Sequence, residues 1–108
     1  MIVKDKISKE KFKEILGDAG MVKLATDIER KILAAGCEFH VFCAEELLGD
    51  GSERKNVWGA NVYADGAIDF TAVFNIRPQD NNRSMEIQDG EIRKKVEAVI
   101  KELLLSWM

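Results

Sequence analysis

The most constraining stretch of this sequence is the run that ends at its single proline, Pro78. Ile68, Phe70, Ala72, Phe74 and Ile76 alternate there with Asp69, Thr71, Val73, Asn75 and Arg77. A two-residue period places the two sets on opposite faces of an extended strand. Proline, which has no N–H for a ladder, ends it. A strand with one apolar face must be paired and covered, so the chain needs a sheet and a layer packed on it.

Two further strands are predicted. One runs from about Val57 to Tyr63 and joins the first through the hairpin signal Asp65-Gly66. Within it Trp58 shares a face with Ala60 and Val62, as a core indole would, and Gly59 implies a bulge or a close approach by another group. The other covers Cys37 to Cys43, where Cys37, Phe39, Val41 and Cys43 alternate with Glu38, His40 and Phe42.

Helical spacing marks three segments. Ser8 caps a short helix with Phe12, Ile15 and Leu16 on one face, stopping at Gly17. Met21 to Ala35 carries the stripe Met21, Leu24, Ala25, Ile28, Ile32 and Ala35, with Gly36 as its stop. Asp89 caps a last helix with Ile92, Val96, Val99, Ile100, Leu103 and Trp107 as its stripe, ending near Leu105. The order α-α-β-β-β-α predicts an α+β domain spanning residues 1–108. It has two layers, a three-stranded antiparallel sheet with the helices packed on one face. The Ala44–Asn56 connection leaves two strand orders open, a meander or the first strand beside the third.

No apolar run approaches the roughly 18 residues of a membrane span. Sixteen basic against nineteen acidic residues, a net charge of -3, argue against a nucleic-acid partner. The segment Cys37–Ile76 is the acidic one, with Arg54 and Lys55 as its only cations. Placed in one strand, Cys37 and Cys43 would lie about 20 Å apart, beyond disulfide reach, as buried apolar residues of a reducing compartment. The start of the chain carries no apolar signal region, so the expected location is cytoplasmic.

If the helices cover the Phe70–Phe74 face, the other face gathers His40, Asn61, Tyr63 and Asn75, with Arg77 at its end. Such a set can hydrogen-bond a small polar ligand. The plainer alternative is a solvated sheet face with cross-strand polar pairs. Arg77 and, on the following loop, Arg83 could converge on a phosphate or carboxylate, with Asn82 and Ser84 adding neutral donors. Against this, each arginine could pair with Asp69, Asp80 or Glu86. No cofactor is indicated, and there is no G-x-x-x-x-G-K-[ST] loop. No Cys or His pair has metal spacing, so no metal is expected. His40, the only histidine, would need Glu38 or Asp69 beside it to act as a general base.

The strings Val57-Trp58-Gly59-Ala60-Asn61-Val62-Tyr63, Phe74-Asn75-Ile76-Arg77-Pro78 and Asn82-Arg83-Ser84-Met85-Glu86-Ile87-Gln88-Asp89 resemble a family of small prokaryotic proteins, domain of unknown function 5674. The resemblance covers nearly the whole chain. It implies a shared small fold and carries no chemistry. Three functions stay open: a binding or regulatory module for an anionic small molecule or partner; a homodimer or subunit, suggested by the apolar end Leu103–Met108; and a small enzyme using His40.

Overall fold

A computed structural model describes residues Met1–Met108. The elements in chain order are β1 (Ile2–Val3), α1 (Lys9–Leu16), β2 (Met21–Asp27), β3 (Ile32–Ala35), α2 (His40–Gly49), β4 (Val57–Tyr63), β5 (Ile68–Asp69) and α3 (Gly90–Leu104). Short 3-10 turns cover Arg54–Asn56, Val73–Asn75 and Pro78–Asp80. The strands form one five-stranded sheet of order β1-β3-β2-β4-β5, antiparallel at every step. The fold is α+β, but the expected three-stranded sheet and the α-α-β-β-β-α order are both incorrect.

Helices lie on both faces of the sheet, not one. Val22, Leu24, Leu33, Trp58, Ala60 and Val62 share a core with Phe12 of α1 and with Val96, Val99, Ile100 and Leu103 of α3. On the opposite face Ala25, Ala34 and Val57 share a second core with Cys43, Ala44 and Leu47 of α2. The face expected to stay open is therefore roofed by α2.

Several local expectations hold. Ser8 accepts the Lys11 N–H at 3.1 Å and Gly17 ends α1. Asp89 accepts the N–H groups of Glu91 and Ile92 at 2.7 and 3.2 Å and opens α3. β4 has the predicted span, and Gly66 turns the following hairpin at φ 89°. The apolar end finds its cover within the chain: Leu104 and Leu105 are buried, and the Trp107 ring lies 5.5 Å from Phe12. Met108 alone of its apolar residues stays largely exposed.

Three segments depart from expectation. Met21–Ala35 is a hairpin and not a helix, with β2 paired to β3 from Leu24↔Ala35 to Asp27↔Ile32. The turn is set by Asp27, whose carboxylate accepts the Glu29 and Arg30 N–H groups at 2.9 and 3.0 Å, and by Lys31 at φ 58°. Leu24, Ala25, Thr26 and Asp27 are all buried. A strand enclosed on both faces shows no alternation, so helical spacing matched by coincidence.

The predicted strand Cys37–Cys43 is the approach to α2 and its first turn. Phe39 and Val41 are exposed, while Cys43, Ala44 and Leu47 are buried at helical spacing. The bend at Glu38–Phe39 and the first turn of α2 bring Cys37 and Cys43 to 5.7 Å between Cα atoms, and they are joined by a disulfide. This corrects both the 20 Å separation and the reading as unpaired, buried apolar residues. A six-residue separation closes a short loop. Chain entropy for such a loop contributes only about 2 kcal/mol, against about 4.7 for a 100-residue loop.

In the third segment, only Ile68–Asp69 of the long predicted strand pairs with β4. Beyond it the chain wraps around the edge of β4: Phe70 packs into the α1/α3 core and Phe74 into the α2 core. The expected alternation breaks there, leaving Val73 71% exposed and Asn75 0%.

The wrap is possible because residue 59 is glycine. A Cβ on Gly59 would lie 2.5 Å from Ala72 Cβ and 2.8 Å from the Phe74 ring, the close approach predicted from its place in a strand. Gly59→Ala is expected to cost about 1–3 kcal/mol in urea denaturation. Gly90→Ala, with nothing within 4 Å of its Cβ, should cost nothing measurable. Equal stability of the two variants would contradict the packing at Gly59.

Candidate functional site

β4 is paired with β2 along its whole length, from Met21↔Tyr63 to Asp27↔Val57. Its other edge meets β5 only at Asn61 and Val62. Side chains serve the Gly59 groups and the Val57 carbonyl. Asn75, in the turn after β5, accepts the Gly59 N–H through Oδ1 at 2.8 Å and donates Nδ2 to the Gly59 carbonyl at 3.0 Å. Its amide thus occupies the place of a neighbouring strand's peptide group. The same Nδ2 donates to the Met85 carbonyl at 3.1 Å.

Asn82 orders the next loop in the same way. It donates to the carbonyls of Asn75, Ser84 and Glu86 at 2.9, 2.8 and 3.1 Å, and accepts the Gln88 N–H at 2.8 Å. Asn75 and Asn82 are buried with their amides committed to backbone. Neither faces a ligand-accessible sheet surface. Ser84 accepts the Glu86 N–H at 3.1 Å, and Tyr63 stands partly exposed at the end of β4.

His40 opens α2 over the far end of β4. Its Nε2 lies 2.7 Å from Asn61 Oδ1 and 3.2 Å from the Ala60 carbonyl. Asn61 donates its own Nδ2 to the Thr71 carbonyl at 3.2 Å and toward Asp69 at 3.4 Å. Both Nε2 partners are then acceptors, so Nε2 carries the proton. The structure gives His40 an amide as partner, not the carboxylate that a general-base arrangement with Glu38 or Asp69 requires. His40 and Asn61 are brought together; neither touches the arginines.

Arg77 and Arg83 do not converge. Arg83 is exposed, while Arg77 is 6% exposed, its guanidinium carbon 3.7 Å from the centre of the Trp58 ring. Arg77 Nη1 donates to the Arg54 carbonyl at 2.8 Å and Nη2 to the Val57 carbonyl. Nε has no partner. The nearest carboxylate, Asp80, is 3.9 Å away and partly exposed. Burial holds the Arg77 pKa below the usual arginine range; Asp80 pulls it back up and the neighbouring Arg54 charge pushes it down. The guanidinium stays protonated at any ordinary pH.

The arginine that shares a site with Arg77 is therefore Arg54. Both line a cavity of about 220 Å³ between α2 and the wrapping segment, with Ala44, Leu48, Val57, Phe74, Ile76 and Gln79. The cavity is apolar at the helix and cationic at the other end. A larger depression of about 450 Å³, between the β2–β3 turn and α3, carries charges only on the exposed residues Lys31, Lys95 and Glu102. No buried polar or charged side chain lines it. Arg54 escaped the sequence reading because it lies 23 residues from Arg77. Its one signal was being, with Lys55, a lone cation in the acidic segment.

A protein-family model described as "Protein of unknown function (DUF5674)" matches residues 1–103. No curated protein and no solved structure shows significant similarity to the chain.

If the Asn75 amide replaces a strand, Asn75→Ala should expose its cost directly. A buried donor and a buried acceptor on Gly59 would each lose a partner worth about 1–3 kcal/mol. Chemical denaturation is expected to show a loss of several kcal/mol for Asn75→Ala, and a change within about 0.5 kcal/mol for Arg83→Ala. Comparable values for the two would refute the structural role of Asn75.

Proposed function

The chain belongs to the DUF5674 family, and we propose that it is a binding module for a small organic anion with an apolar body, held between α2 and the segment that wraps β4. One observation carries this reading: a buried guanidinium, Arg77, has no carboxylate closer than 3.9 Å and a second arginine, Arg54, at its side. Two like charges in a partly desolvated site repel, and a carboxylate or phosphate between them relieves that repulsion. Arginine forks suit such groups.

The apolar lining of Ala44, Leu48, Phe74 and Ile76 supports a ligand with hydrocarbon beside its charge. About 220 Å³ is below the roughly 300–1,000 Å³ of drug-sized sites, so the ligand is small. Arg77 is retained from the residues singled out in the sequence, and Arg54 takes the part expected of Arg83.

A second reading, association with another copy of the chain, is supported by apolar side chains that α2 and the wrap leave exposed: Phe39, Val41, Phe42, Val73 and Ile76.

Thermal melting with a graded series of carboxylates, acetate through octanoate and benzoate, tests the first reading. Members with an apolar body are expected to raise Tm, with roughly 2.7 kcal/mol of stabilisation at a hundred times Kd. Arg54→Ala removes an exposed side chain, so the variant should fold normally and lose most of the shift. No shift with any member, or an equal shift in the variant, would overturn the reading.

A further inference from the structure

We propose that the Cys37–Cys43 disulfide is a thiol–disulfide exchange centre, with Cys37 Sγ as the atom attacked. The two sulfurs differ in access. Cys37 lies in the link between β3 and α2 and is partly exposed. Cys43 is 0% exposed, in the first turn of α2 and packed in the core with Ala25 and Ala34. Exchange needs an incoming thiolate to reach one sulfur while the other departs. Here only Cys37 can be reached, so Cys43 is the leaving group.

Cys43 is released in the first turn of the ten-residue helix α2, inside the core. Its sulfur lies 3.9 Å from the Lys23 carbonyl, which can accept the S–H once the departing sulfur is protonated.

The reaction balances with a thiol as the reductant. A thiolate RS⁻ attacks Cys37 Sγ, the S–S bond breaks, and RS–S–Cys37 forms as Cys43 departs. A second thiolate attacks the R-bound sulfur, releasing RS–SR and Cys37 thiolate. Two electrons pass to the protein, and the protons of the two thiols finish on Cys37 and Cys43. Phe39 and Phe42, stacked edge-to-face at 5.7 Å and both about half exposed, lie with exposed Val41 in the loop that the bond closes between Cys37 and Cys43. This apolar collar favours a thiol carried on a peptide with apolar flanks over a free small thiol.

The test uses the intact oxidised chain in native buffer, treated with glutathione or with a single-cysteine peptide flanked by leucines. Acid quenching and peptide mapping locate the mixed disulfide, and circular dichroism confirms that the chain stays folded. The adduct is expected on Cys37, forming at least fivefold faster with the peptide. Equal rates would assign the site to small thiols. In a second arm, Cys43→Ser should take up glutathione from its disulfide at least tenfold faster than Cys37→Ser. An adduct mainly on Cys43, or a bond that no thiol opens until the chain is unfolded, would overturn the proposal. Neither result bears on the cavity at Arg54 and Arg77.

Discussion

The structure depends on the pairing between the Asn75 amide and both backbone groups of Gly59. β4 lies inside the sheet, yet its outer neighbour β5 is two residues long. A buried strand edge with unpaired N–H and C=O groups is costly, and a lengthened β5 is the usual remedy. This chain uses side chains instead. Asn75 serves Gly59, and the Arg77 guanidinium serves the Val57 carbonyl. The backbone is then free to leave the sheet, cross the edge, and send Phe70 and Phe74 to opposite cores.

The rest of the site follows from that crossing. A continuous β5 would keep residues 70–77 in the plane of the sheet, with no room between them and α2. Because the segment folds over the edge, it forms one wall of a cavity whose other wall is α2. It also carries Arg77 into the interior, where Trp58 supplies a ring face and Val57 and Arg54 supply carbonyls. These carbonyls take the two Nη groups and leave Nε without a partner, while the one carboxylate in reach, Asp80, stands 3.9 Å away and partly exposed. The placement of Arg77 and the shape of the cavity thus have one origin.

α2 links the two proposed sites without making them depend on each other. Its inner face, through Ala44 and Leu48, lines the cavity, and its N-terminal turn holds the disulfide. His40 fastens that turn to Asn61, which is fastened in turn to Thr71 and Asp69. Of the candidate residues named from sequence, Asn61 and His40 do meet, and Asn75 and Asn82 are joined through the Asn75 carbonyl. They meet to position backbone.

The amino-acid sequence by itself determined α1, β4, the turn at Gly66 and α3. In α1, α3 and the turn the controlling contacts lie within a few residues: a cap at Ser8 or Asp89, a glycine at positive φ, or an apolar stripe against solvent; β4, buried at every position but Tyr63, is bounded by that turn and not by a periodic contrast. It also marked Gly59 as a point of close approach. Only the tertiary structure decided that Met21–Ala35 is a hairpin, that Cys37 and Cys43 meet, and that Asn75 and Arg77 turn inward. Strands buried on both faces carry no periodic contrast, and α2, with apolar residues on every side, offers none that separates helix from strand. An asparagine that stands in for a strand is recognisable only once the distant backbone it serves is in place, because the same alternating letters also spell an ordinary edge strand.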